Sequence, residues 1–97
     1  MRALISSEVG GPESLHMSEL ADPEASAGQV VVAVKACAIN YPDVLIIQDL
    51  YQFKPARPFS PGSEVAGIVE AVGEGVKGIS PGDRVIALTG HGGLAEK

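Results

Sequence analysis

Polar and apolar positions along the chain change period several times, and the changes mark its elements. Residues 2–7 (RALISS) carry the bias of a short strand. Residues 10–15 (GGPESL) are turn chemistry, and residues 15–20 alternate weakly, enough to pair back as a second strand. Residues 29–37 (QVVVAVKAC) are Val-rich, follow a glycine and give the clearest strand. The period then shifts. Asn40 or Tyr41 sits at a helix cap, Pro42 falls in the first turn where its missing N–H costs nothing, and Val44, Leu45, Ile47 and Gln48 complete about two turns, a helix near residues 41–48. Three prolines between 51 and 61 exclude a helix or a central strand and predict an ordered loop. Residues 64–72 (EVAGIVEAV) read as a strand in which Gly67 marks a bend or a close backbone approach. Residues 80–83 (SPGD) make a tight turn into a strand over 84–88. Gly90 to Gly93 form a loop, and residues 94–97 begin an element that the chain does not finish. Five or six short strands, one short helix and many Gly/Pro turns predict a mainly β fold, a small barrel or sandwich. No long helix alternates with the strands, so a βαβ layout is not expected.

Composition narrows this. Ninety-seven residues make one small domain, and with two Phe, two Tyr and no Trp the core must come from Val, Ile, Leu and Ala. The net charge is −5 and the seven Lys and Arg are scattered, which argues against nucleic acid as a partner. No apolar run nears the roughly 20 residues that span a bilayer, and the N-terminal segment lacks a signal-peptide core, so no membrane partner is expected. A single cysteine, Cys37, fits a reducing, cytoplasmic setting and reads as a small buried hydrophobe at a strand end.

Gly73-Glu74-Gly75-Val76-Lys77-Gly78 matches the dinucleotide-binding pattern G-x-G-x-x-G after a strand. That chemistry needs a helix to open within the motif, so that free N–H groups meet a pyrophosphate. Ile79-Ser80-Pro81-Gly82-Asp83 follows and cannot open one. The motif is therefore expected to be a strand-to-strand connection using glycine for positive φ.

From Asn40 to Val85 the chain carries N-Y-P-D, then P-F-S-P-G-S-E-V-A-G-I-V, V-G-E-G-V and P-G-D-R-V, in one order at close spacing. This resembles the catalytic domain of the medium-chain dehydrogenases/reductases, nearest their zinc-free, zeta-crystallin-like quinone oxidoreductase branch. The resemblance implies a GroES-like, partly open β-barrel over residues 1–97, truncated, with a Rossmann cofactor domain absent from this chain. Zinc members of the superfamily place Cys three residues before Asp, and later Gly-His-Glu. This chain has Asn40 before Asp43, and Gly62-Ser63-Glu64. An amide and a hydroxyl are poor zinc ligands, and His16, Cys37 and His91 share no ligand spacing, so no metal is expected.

The resemblance further implies hydride transfer from NADPH to a quinone or an α,β-unsaturated carbonyl, and open strand edges lead to the expectation of a homo-oligomer. Without zinc, a hydrogen-bond donor must polarise the acceptor oxygen. The candidates are Tyr51 and Asn40 as catalytic groups with Asp43 in support, and Asn40 with Tyr41 toward the cofactor. Each has a plainer reading. Asn40 suits a helix cap, Asp43 the helix dipole, and Tyr51 loop packing. Glu64 reads as a buried, hydrogen-bonded structural carboxylate, and His91, between glycines, as an exposed loop residue. NADPH over NADH is not decided by these residues. The isolated chain is expected to be inactive and to expose open strand edges. The rival reading is a co-chaperonin-like binding module, since G-I-V-E-A-V-G-E-G and G-D-R-V-I also resemble barrel strands of that fold. It leaves N-Y-P-D and the proline-rich loop unexplained.

Overall fold

The computed structural model describes all of residues 1–97. It contains β1 (Arg2–Ile5), β2 (His16–Glu19), β3 (Val30–Ala38), α1 (Tyr41–Ile46), β4 (Glu64–Val72) and β5 (Arg84–Leu88), with a 3-10 turn at Pro12–Ser14. Strands β3, β4 and β5 form an antiparallel sheet in that order, and β1 pairs antiparallel with β2. Residues 94–96 join the two sheets. The Leu4 N–H donates to the Leu94 carbonyl (2.9 Å), Glu96 N–H to Arg2 (3.1 Å) and Val34 N–H to Glu96 (2.9 Å). The segment that reads as an unfinished element is thus the link between β1 and β3. A second tie holds the end of β1 to the proline-rich loop, where Ser6 and Phe59 exchange backbone bonds of 2.8 and 3.2 Å. The result is a small partial barrel with one short helix.

The strand pattern sorts residues between core and surface. On β4 the odd positions Val65, Gly67 and Val69 face inward and are buried, while Ile68 and Glu70 face out. Ala3, Ile5 and Val31 add to this core, and Ile46, Ile47 and Phe59 make a cluster beneath α1. The expected open edge is present: β5 has no strand on its outer side, and its Ile86 and Leu88 are 80% and 84% exposed.

Two glycine expectations are met. Gly67 is a close approach, since a Cβ there would stand 2.7 Å from Val32 Cγ1 and nearer still to the Ala33 carbonyl oxygen. The G-x-G-x-x-G stretch is a turn with no helix, Gly75 and Gly78 holding φ of 83° and 80°. Two boundaries differ from expectation. Strand β1 ends at Ile5, because the Ser6 backbone turns to Phe59. Helix α1 ends at Ile46, not near residue 48. Asp49 takes a left-handed φ of 56°, and Leu50 N–H closes back on the Leu45 carbonyl at 3.0 Å, so Ile47 and Gln48 lie in the exit turn.

Candidate functional site

The site is built where β3 gives way to α1 and β4 begins. Asn40 is the N-cap, with extended backbone (φ −123°, ψ 161°), and Pro42 sits in the first turn. Asp43 is buried, at 5% exposure. Its carboxylate accepts the Asn40 N–H at 2.8 Å while its own N–H donates to the Asn40 carbonyl at 3.0 Å. These bonds satisfy donors that a helix start leaves free, so Asp43 supports the cap. The Asn40 side chain stays exposed, its Nδ2 donating only a long 3.5 Å bond to Glu64 Oε1. Strand register delivers Glu64, since Ala38 pairs with Glu64 across β3 and β4. Glu64 is half-buried, not buried as expected, because it stands on the outward face at the first position of β4.

Cys37 belongs to this corner. It pairs with Val65, and its Sγ faces two glycines: Cβ atoms on Gly62 and Gly93 would stand 2.7 and 2.9 Å from the sulfur. The thiol is half-buried, not a closed core residue. Burial pushes its pKa above the ordinary thiol value, and the Asp43 charge pushes it the same way. Only glycines at 62 and 93, far apart in sequence, let the sulfur pack there, and their spacing gives no signal of it.

The other candidates divide. Tyr41 opens α1 and is 73% exposed. Tyr51 lies past the opposite end of the helix, half-buried against the cluster of Ile46, Ile47 and Phe59. Asn40, Asp43 and Glu64 are therefore gathered at one end of α1, with Tyr51 at the other. His91 is not the exposed loop residue that its glycine neighbours suggest. It is half-buried, its ring centroid 5.6 Å from Phe53 and 5.9 Å, edge-on, from Phe59.

Sequence reasoning passed over Arg57, which ties the turn after α1 to Ser6, the residue that follows β1. Its guanidinium donates to Asp49 Oδ1 (2.8 Å), the Ile47 carbonyl (2.9 Å) and Ser6 Oγ (3.2 Å).

The donor set at this corner does not suit zinc. Asn40 and Ser63 offer an amide and a hydroxyl, and no three His, Cys, Asp or Glu side chains gather. Small hollows open beside this corner, one of about 350 Å³ at Cys37 and Gly93 and one of about 210 Å³ at Ala38 and Glu64, and two larger ones lie elsewhere. One of about 410 Å³ runs along the inner side of β3, and one of about 700 Å³ along β4 and β5 near Ile68 and Ile86; Asn40, Asp43 and Tyr51 line neither. No helix is long and apolar enough to cross a membrane.

Comparison with known proteins places this geometry. The alcohol dehydrogenase GroES-like domain family matches residues 26–96, a stretch that takes in α1 and the proline-rich loop, the two parts the co-chaperonin-like reading leaves unexplained. Quinone oxidoreductase of Rattus norvegicus is 45% identical over 98 residues, a match covering 99% of this chain and 30% of the relative. The human synaptic vesicle membrane protein VAT-1 homolog-like protein superposes with a TM-score of 0.93 at 40% identity, over 99% of this chain and 31% of that one. Escherichia coli quinone oxidoreductase, solved in complex with NADPH, gives a TM-score of 0.91 at 36% identity, over 99% and 29%. The chain thus spans about 30% of the length of the curated quinone oxidoreductases it matches. With its strand order, its short capped helix and its proline-rich loop, this chain belongs to the alcohol dehydrogenase GroES-like domain family, as a quinone-oxidoreductase-like N-terminal domain of the medium-chain dehydrogenase/reductase superfamily.

Proposed function

We propose that this chain forms the substrate side of an NADPH-dependent reductase that delivers hydride to a quinone or an α,β-unsaturated carbonyl without zinc. NADPH, when bound, supplies the hydride; this chain positions the acceptor and stabilises charge on its oxygen. In this reading the Tyr51 phenol donates a hydrogen bond to that oxygen, and the Asn40 amide contacts the substrate or the nicotinamide from the other end of α1. Asp43 holds Asn40 by its backbone, and Asn40 with Tyr41 borders the nicotinamide. A Rossmann domain elsewhere in the protein carries most cofactor contacts, so residues 1–97 alone are inactive, and the full protein is a homo-oligomer.

The observation that carries the reading is the exposed amide of Asn40. Its backbone is pinned by a buried carboxylate at 2.8 Å, while its side chain keeps donor capacity beyond one long bond. The donor sits where zinc members of the superfamily have a metal ligand. The relatives' use of NADPH, as in the Escherichia coli complex, supports the choice of cofactor.

The test is NADPH oxidation with a small quinone by the full-length protein. Tyr51→Phe should lower kcat/KM at least roughly tenfold, the loss of a good transition-state hydrogen bond. Wild-type rates in that variant would remove Tyr51 from the polarising role, and stoichiometric zinc in the purified protein would end the metal-free mechanism.

A further inference from the structure

Asp49 is the only residue other than glycine with positive φ (56°). Aspartate enters that region more readily than most side chains, though less freely than glycine, so a contact that engages its carboxylate can fix the turn. Arg57 is placed to do so. Its side chain is only 17% exposed, and its guanidinium uses three nitrogens on three acceptors: Nη1 on Asp49 Oδ1 at 2.8 Å, Nη2 on the Ile47 carbonyl at 2.9 Å and Nε on Ser6 Oγ at 3.2 Å. Its flat face also lies 5.3 Å from the centre of the Phe59 ring. A planar fork can satisfy such a set; a lysine can reach one or two of its members.

Every group that Arg57 touches at this end bears on Tyr51. Ile47 and Phe59 are two of the three residues in the cluster on which Tyr51 packs, and Asp49 fixes the chain direction two residues before it. The geometry points to Arg57 as a positioning residue: by clamping the left-handed turn at Asp49 it sets the seat of Tyr51 above Ile47 and Phe59. The inference builds on the reading of Tyr51 as the donor to the acceptor oxygen. Arg57 itself touches no reacting atom and acts through the turn.

The experiment separates the clamp from the chemistry. Full-length protein labelled with 3-fluorotyrosine is studied by fluorine NMR, with Tyr51→Phe assigning the Tyr51 signal and exposed Tyr41 serving as internal reference. Arg57→Met should split or broaden the Tyr51 line and leave that of Tyr41 alone. Adding Asp49→Gly should restore the line, because glycine adopts the left-handed turn without a clamp. In the NADPH assay, Arg57→Met should lower kcat/KM about tenfold, and the Asp49→Gly/Arg57→Met protein should recover most of it. In a Tyr51→Phe background Arg57→Met should cost nothing further, which a merely structural role would not produce. An unchanged Tyr51 line in Arg57→Met, or no recovery on adding Asp49→Gly, overturns the proposal. If Tyr51→Phe alone leaves turnover intact, the donor role of Tyr51 falls while the fluorine spectrum still decides the clamp. Should Arg57→Met not fold, Arg57→Lys, which keeps charge but loses the fork, must show the same split line in milder form or the clamp is refuted.

Discussion

Replacing Gly67 by alanine gives the sharpest test of how β3 and β4 meet. In an ordinary strand the change should stabilise, since glycine in a strand interior costs about 0.5–1 kcal/mol relative to alanine. Here the added methyl has no room. It would stand 2.7 Å from Val32 Cγ1 and 3.0 Å from the Ala33 carbonyl carbon, with the carbonyl oxygen closer than either. Carbon atoms rest about 3.5–4.0 Å apart, so β3 must retreat by roughly 1 Å. Val32 can turn, but Ala33 offers backbone, which moves only if the strand moves. That retreat strains the ladder around Val34 and Gly67, beside the register shift between Val34 and Ala36. Losing two ladder bonds at about 1 kcal/mol each, on top of overpacking at about 1–3 kcal/mol, gives a cost of about 3–5 kcal/mol. This is a large share of the roughly 5–15 kcal/mol that holds a domain folded. Urea denaturation of wild type and Gly67→Ala, with Gly75→Ala as control, measures it. Gly75 has open space around it, so its replacement should cost only the left-handed penalty of about 1–2 kcal/mol. A Gly67→Ala midpoint at or above wild type would refute the close approach.

Three further outcomes follow from the ion pairs and the cap. Asp43→Ala removes a buried carboxylate that accepts the Asn40 N–H, so it should cost about 2 kcal/mol in thermal or urea unfolding; a change under about 0.5 kcal/mol would deny the cap its role. Asp22 is held below the ordinary carboxylate pKa first by the hydrogen bond from Lys97 and then by that from the N-terminal ammonium. A folded pKa depressed below the unfolded one near 3.8 gives stability that is present above that value and fades as pH falls through the folded pKa. The gap between wild type and Asp22→Asn should therefore be open at neutral pH, shrink below about pH 4 and narrow with salt, since these groups face solvent; a gap that ignores both pH and salt contradicts the pairing. Cys37, with its pKa raised chiefly by burial, should react with a thiol reagent more slowly in the folded protein at pH 8 than in urea, and equal rates would place the thiol outside its glycine corner.

What the sequence could reveal depended on how local the cause was. The bounds of β4 and β5 were legible because turn residues bracket alternating apolar positions on both sides, as Gly62 and Gly73 do for β4. The cap at Asn40 was legible because Asn and Pro act within one turn. The helix end was not. Ile47 keeps the apolar period, yet the chain turns away there because Asp49 and Arg57, eight residues apart, fix a left-handed turn. His91 was misplaced for the same reason. Its partial burial comes from Phe53 and Phe59, and the burial expected of Cys37, met in part, comes from Gly62 and Gly93, partners distant in sequence that no spacing announces. Of the candidate site, the sequence suggested residues but not their grouping: nothing in the spacing sets Glu64 beside Asn40 and leaves Tyr51 at the far end of α1.

That division along α1 bears on how the site holds its shape. Six residues make under two turns, and an isolated helix shorter than about 12–15 residues is marginal in water because its nucleus is costly. Propensity therefore cannot fix the directions of Asn40 and Tyr51. Two ionic side chains do so instead, each reaching backbone: Asp43 to the Asn40 N–H at one end and Arg57 to the Ile47 carbonyl at the other. Between them Ile46 packs into the core at 2% exposure and stops the helix from rolling. The two proposed donors stand just outside the two pins. Loosening either pin while Ile46 stays buried should then shift one donor and leave the barrel closed, so damage to the site should appear in donor geometry before it appears in the stability of the sheet.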